Sequence, residues 1–174
     1  MSKTDYPLNL IEAVVFDVDG VLSPSTVPMD SDGVPLRMVN IKDGYAIQHA
    51  AKCGLQMAII SGGNSESVRQ RYNMLGIKDV FLGAGKKAEV LRKWMADKGL
   101  QPEQVAFCGD DIPDIPSLRM VGLSVCPADA ASEVREVARY TTSANGGYGV
   151  ARELIEQIMR VRGQWMHDAD AFGW

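Results

Sequence analysis

Asp17 and Asp19 stand two residues apart in the stretch FDVDG, directly after the apolar run AVVF. If AVVF is a strand, side chains two apart leave on the same side. Two carboxylates that close repel unless a cation sits between them. Asp and Gly also favour tight turns, so the pair by itself reads either as a turn or as a metal site with a nucleophile.

Other stretches carry matching chemistry. Ser61-Gly62-Gly63-Asn64 follows LQMAII, Lys86-Lys87 precedes a helix-like pattern, and Gly109-Asp110-Asp111, with Asp114 close behind, follows VAFC. In open α/β sheets ligands bind beyond the carboxyl ends of the strands, where these residues would converge. Asp17, Asp19 and Asp110 offer hard oxygen ligands that suit Mg²⁺. Ser61 opens a glycine-rich turn into a helix, so its hydroxyl and the nearby N–H groups can cradle an anion. A lysine adds a fixed cation. These are the parts of phosphoryl transfer: an anionic nucleophile, a metal that offsets repulsion, and donors for the equatorial oxygens. A carboxylate nucleophile divides the displacement into two steps through an aspartyl phosphate. A second acid can protonate the leaving alcohol and then deprotonate the attacking water.

The elements that must position these groups alternate along the chain. Apolar runs at 13–17, 55–61, 79–83, 104–110, 123–127 and 139–142 read as short buried strands. Helix-like patterns lie between them and end at Gly54, Gly76, Gly99 and Gly122, each followed by Leu or Ile. Glycine past a helix end can take the left-handed conformation that closes the last turn. Repeated strand, helix, glycine, strand predicts a three-layer, Rossmann-like α/β fold on a parallel sheet. Residues 24–41 break the rhythm with three prolines and an Asp32–Gly33 pair, which predicts a two-stranded flap after the first strand. Val150, Leu154, Ile155, Ile158 and Val161 keep helical spacing and should pack on the sheet. The tail from 163 to 174 shows no period and is expected to be disordered or docked on a neighbouring subunit. His49 falls within a helix pattern and reads as a packing or surface residue.

A length of 174 residues fits a single domain, 1–174. The net charge of -4 argues against a nucleic-acid partner, which would want a basic face. No apolar run approaches the ~20 residues of a membrane helix, and no signal peptide is legible. Cys53, Cys108 and Cys126 have no paired metal spacing and read as free thiols in a reducing compartment, the cytoplasm.

Together, DVDGV at 17–21, Ser61, a lysine before a helix and GDDIPD at 109–114 resemble the haloacid dehalogenase superfamily of phosphotransferases. NIKDGYAI, the hairpin in place of a large cap, GLSVCPADA and GGYGVARE look more closely like the 3-deoxy-D-manno-octulosonate 8-phosphate phosphatases, a capless, Mg²⁺-dependent, tetrameric branch. That resemblance implies Asp17 as nucleophile and metal ligand. It implies Asp19 as general acid and base, with its backbone carbonyl on the metal. Ser61 would bind phosphate, Lys87 rather than Lys86 would be the site lysine, and Asp110 would bind Mg²⁺ with Asp111 and Asp114 orienting its shell. It also implies hairpins packed together in a homotetramer. Gly62, Gly63 and Asn64 would line the substrate, and Arg71 would meet the sugar carboxylate. Gly63 and Asn64 stand where many octulosonate phosphatases have a basic residue, so a nonulosonate 9-phosphate is an alternative substrate. A phosphoaspartyl receiver module is the alternative from another class. It would lack an acid at the place of Asp19.

Overall fold

The structure, a computed structural model, describes residues 3–174. Strands β1 (Ala13–Phe16), β2 (Gln56–Ile60), β3 (Asp79–Phe81), β4 (Val105–Cys108), β5 (Leu123–Cys126) and β6 (Tyr140–Thr141) form one sheet. Its order is β3-β2-β1-β4-β5-β6 and every pairing is parallel. Helices α1 (Ile41–Lys52), α2 (Glu66–Met74), α3 (Lys87–Lys98), α4 (Ile115–Leu118), α5 (Ser132–Val137) and α6 (Val150–Val161) connect or cover the strands. Each strand lies inside an apolar run read from the sequence.

Alternation along β1 decides what faces what. Val14 and Phe16 join Ile47 of α1 and Leu154 and Ile158 of α6 on one side of the sheet. Ala13 and Val15 join Leu91 and Trp94 of α3, Leu118 of α4 and Val134 of α5 on the other. Burying each large side chain stabilises the fold by about 1.5–3 kcal/mol. The period of two, carried one step past the strand, sends Asp17 to the α3 side. In α6, Val150, Leu154, Ile155 and Ile158 are fully buried, whereas Val161, at the last turn, is half exposed.

Three details differ from expectation. Gly54, Gly76 and Gly99 take the left-handed backbone that ends a helix, but Gly122 does not. Gly122 is needed for space: a Cβ there would stand 2.2 Å from the Tyr6 hydroxyl. The flap at 24–41 holds a single antiparallel bridge, Met29 to Pro35, rather than two strands. Pro28 and Pro35 have no N–H to extend a ladder, and Asp30 closes the turn by accepting from Asp32 N and Val34 N. The tail is ordered. It folds back on its own α1, with Trp165 buried edge-on to Tyr45 and His49, and Tyr45 Oη donating to the Ala171 carbonyl.

Candidate active site

The carboxyl ends of β1, β2 and β4 open on a cleft of about 530 Å³ lined by Asp17, Asp19, Ser61, Lys87, Asp110 and Asp114, among others. Asp17 follows β1 directly. Its N–H continues the sheet to the Cys108 carbonyl at 3.0 Å. Its Oδ1 accepts from Val18 N at 2.7 Å, which fixes the carboxylate. The chain then turns tightly: the N–H groups of Val21, Leu22 and Ser23 all reach the Val18 carbonyl. That turn carries Asp19 to the mouth, where its side chain is 45% exposed.

Lys87, the first residue of α3, is the buried centre of charge. Its Nζ lies 2.7 Å from Asp17 Oδ2 and 2.7 Å from Asp114 Oδ1. An ammonium at a helix N-terminus opposes the dipole, so these two carboxylates must outweigh that cost. Burial alone would pull the Lys87 pKa down, but Asp17 and Asp114 hold it above its ordinary value. Lys86 points to solvent and pairs with Glu89. Of the two lysines, Lys87 is therefore the one in the cleft.

Asp114 ties the β4 loop together. Its Oδ2 accepts from Asp110 N at 3.0 Å and Asp111 N at 3.3 Å. A side chain at Gly109 would run into Asp114 at 2.5 Å, so glycine is required there. Asp111 is exposed and accepts from its neighbour Ile112 N.

Asp17, Asp110 and Asp114 each bring a carboxylate oxygen within 4.8 Å of the others. Burial, then the charge of Asp114, pushes the Asp17 carboxyl up to about 6, against the pull of Lys87. Burial, then Asp17, Asp114 and Asp111, pushes Asp110 up to about 7. One lysine does not balance this crowd of acid. A hard oxygen donor set with excess negative charge fits a divalent cation. The group holds Asp17 and Asp110 and adds the side chain of Asp114, which the sequence had pointed to only as orienting the shell. The Asp19 carboxylate lies outside it.

Instead, Asp19 is clamped by Arg37 of the flap, Nε to Oδ1 at 2.9 Å and Nη2 to Oδ2 at 3.0 Å. Arg37 also lies over Gly63, where a Cβ would come within 2.5 Å of its guanidinium. Sequence reasoning missed this residue. The one signal was a lone arginine in the otherwise apolar stretch from Val34 to Val39. Arg71, expected near the substrate, is not in the cleft. Its guanidinium lies against Gly44 of α1, and it lines a small neighbouring cavity together with Tyr72 and with Arg37 itself. Ser61 is buried at the end of β2, held by Ser61 N to the Phe81 carbonyl and Ala84 N to its own carbonyl, and its Oγ accepts from Gly63 N at 3.2 Å. Gly62 and Gly63 line the cleft, whereas Asn64 is exposed and is not among its lining residues.

The arrangement brings together a buried carboxylate, a fixed ammonium, a cluster of three acids that could hold a cation, a hydroxyl beside a glycine turn, and a second acid at the mouth. Comparison with known proteins shows the family to which the chain is similar. The sequence profile of the haloacid dehalogenase-like hydrolases matches residues 79–154. The chain is 37% identical over 149 residues to a 3-deoxy-D-manno-octulosonate 8-phosphate phosphatase, KdsC, of Yersinia pestis, covering 86% of this chain and 80% of that protein. Its fold is similar to that of the same phosphatase from Moraxella catarrhalis, solved in complex with magnesium ion, phosphate ion and a KDO molecule. That likeness has a TM-score of 0.84 at 30% identity and covers 88% of each chain. The cobalt-bound enzyme of Haemophilus influenzae matches with a TM-score of 0.88 at 34% identity, over 95% of this chain and 98% of that one.

Proposed function

The chain belongs to the haloacid dehalogenase-like hydrolases and is a phosphatase, and from that premise we propose that it hydrolyses 3-deoxy-D-manno-octulosonate 8-phosphate to the free sugar acid and phosphate. The observation that carries the reading is the pairing of a buried Asp17, held by Lys87, with a second acid, Asp19, at the mouth of the same cleft. The relatives' substrate supplies the sugar.

Asp17 attacks phosphorus with one carboxylate oxygen. The bond from phosphorus to the sugar oxygen breaks, and that oxygen leaves with a proton from Asp19. Water then attacks the aspartyl phosphate, Asp19 takes its proton, and the phosphorus–Asp17 bond breaks to give phosphate and free Asp17. Lys87 keeps Asp17 ionised and aimed at the substrate. Ser61 and the Gly62–Gly63 turn receive the phosphate oxygens. Mg²⁺, held by Asp17, Asp110 and the Asp19 carbonyl with Asp114 beside them, would neutralise charge on the transferring group. Asp111 keeps the surrounding loop in place.

Arg37 takes the part expected of Arg71. A substrate carboxylate competes with Asp19 for its guanidinium, and Asp19 is released for proton transfer when the acidic sugar arrives. In the flap, Met29, Val34, Leu36, Met38, Val39 and Ile41 are all exposed. Apolar surface of this extent suits burial between flaps of a homotetramer, and sedimentation showing a monomer at working concentration would remove that part. Three free thiols suit a cytoplasmic enzyme, and among the described residues no helix is long and apolar enough to cross a membrane.

The test is phosphate release with Mg²⁺ from octulosonate 8-phosphate, a nonulosonate 9-phosphate and neutral sugar phosphates, beside Asp17→Asn. The octulosonate ester should lead in kcat/KM and the variant should be inactive. Preference for the nonulosonate ester would reassign the sugar. A phosphoprotein that accumulates without turnover would instead favour a receiver-like module.

A further inference from the structure

The sequence holds two histidines and three cysteines. Both histidines and one of the cysteines meet at a single place that shares no lining residue with the active-site cleft. His49 lies on α1, and Cys53 caps that helix one turn later, so both project from one face. His167 comes from the tail, more than a hundred residues along the chain. One ligand atom from each lies within 4.8 Å of the others. In the same arrangement His49 Nε2 stands 3.8 Å from Cys53 Sγ.

The surroundings are also those of an ion site. The three residues line a cavity of about 480 Å³ together with Gln164, two acids, Asp168 and Asp170, and one cation, Lys52. The Gln164 side-chain oxygen is buried with no hydrogen-bond partner. An oxygen left unsatisfied in this way is costly unless something fills the space beside it. Asp168 Oδ2 sits 2.8 Å from His167 Nε2, the carboxylate–histidine pairing that orients imidazole ligands and raises their basicity. Two imidazoles and a thiolate are a poor set for Mg²⁺ and a good one for Zn²⁺, with a fourth position left for oxygen.

We propose that His49, Cys53 and His167 bind a Zn²⁺ ion that fastens the tail to α1. As the metal–sulfur bond forms, the Cys53 thiol gives up its proton to solvent. His49 Nε2 lies 2.7 Å from the Gln164 carbonyl oxygen, and coordination through that nitrogen exchanges this hydrogen bond for the metal. The ion has no part in phosphate chemistry. It rigidifies residues 164–171, which otherwise rest on the Trp165 packing and a few hydrogen bonds.

The experiment uses the full chain with Mg²⁺ in excess, so that the acidic cluster is occupied. Zn²⁺ is titrated by calorimetry, and Co²⁺ by absorption, because only a thiolate ligand gives an intense sulfur-to-cobalt charge-transfer band. One Zn²⁺ should bind per chain, and the cobalt band should appear in the wild type and vanish in Cys53→Ser. Loss of an outer partner of a ligand typically costs 10–100-fold in affinity, so His167→Asn, an exposed change, should weaken Zn²⁺ by at least about tenfold. Phosphatase activity of His167→Asn should stay at the wild-type level. A wild type without the band, a band that survives Cys53→Ser, or equal Zn²⁺ affinity in His167→Asn would each overturn the proposal.

Discussion

Replacing Lys87 by Met removes the cation from between two buried carboxylates while keeping an unbranched chain in the space. The Nζ sits 2.7 Å from each partner, and Asp17 and Asp114 are 5% and 1% exposed. At an effective dielectric of about 20, each contact at that separation is worth roughly 6 kcal/mol of Coulomb attraction. Desolvation offsets much of this, and breaking a buried pair typically costs about 3–5 kcal/mol because the remaining charge is left unpaired. Metal-free Lys87→Met should therefore lose about 3–5 kcal/mol at neutral pH. Urea unfolding followed by tryptophan fluorescence reads the loss directly. With a slope of about 2 kcal/mol per molar, the midpoint falls by about 1.5–2.5 M. Mg²⁺ should then narrow the gap. The variant no longer has an ammonium competing for Asp17 and Asp114, and each tenfold gain in Mg²⁺ affinity restores about 1.4 kcal/mol at saturation. An unchanged urea midpoint, or a deficit that Mg²⁺ leaves untouched, would refute the idea that these groups form one charge-balanced cluster.

The same cluster sets a pH dependence. Asp17 titrates near 6 and Asp110 near 7 in the folded chain, against an ordinary value of 3.8. Between those values the folded state holds more protons than the unfolded state, so stability of the metal-free protein should fall as pH rises from about 4 to about 7. Thermal denaturation across that range, repeated with saturating Mg²⁺, should show the fall and then its removal; a flat metal-free profile would count against the raised carboxyls. Gly20 has φ +81, and a Cβ there would stand 1.9 Å from Asp110 Oδ2. Gly20→Ala should cut Mg²⁺ affinity at least about tenfold without removing any ligand, as read by activity against Mg²⁺ concentration, on the scale of losing a group that positions a ligand. Arg37→Ala should raise KM for octulosonate 8-phosphate by roughly tenfold or more, the loss of a charge-assisted hydrogen bond worth about 1.5–3 kcal/mol, and leave p-nitrophenyl phosphate turnover undiminished. Equal effects on both substrates would deny Arg37 a role with the sugar carboxylate.

The sheet was legible because buried parallel strands are continuous apolar runs, and AVVF, MAII and VAFC stand out between amphipathic patterns. Asp17, Ser61 and Asp110 followed at once, since each is tied to the end of a strand. Lys87 was found by counting from Gly83, and its burial separates it from Lys86. What stayed hidden depends on contacts between distant segments. Arg37 reaches Asp19 from a flap whose fold is set by prolines and one bridge, and no local period marks it. Arg71 looked suitable on a helix near Ser61, but the helix turns it toward α1. Helices α4 and α5 are too short for a period, and the first has Pro116 in its opening turn, directly after a 3-10 turn that holds Pro113. The tail has no pattern because Trp165 and Ala171 are single anchors rather than a stripe.

The central place of β1, between β2 and β4, bears on how the chain leaves the ribosome. The strand that leads into Asp17 is made well before its second neighbour, which opens at Val105 about 90 residues later, roughly 5–20 s at a synthesis rate of about 5–20 residues per second. For that interval a fully apolar edge waits unpaired on the nascent chain. The Asp17–Asp19 pair, Asp30 and Asp32 then do a second service, since charge beside an exposed strand discourages its joining another.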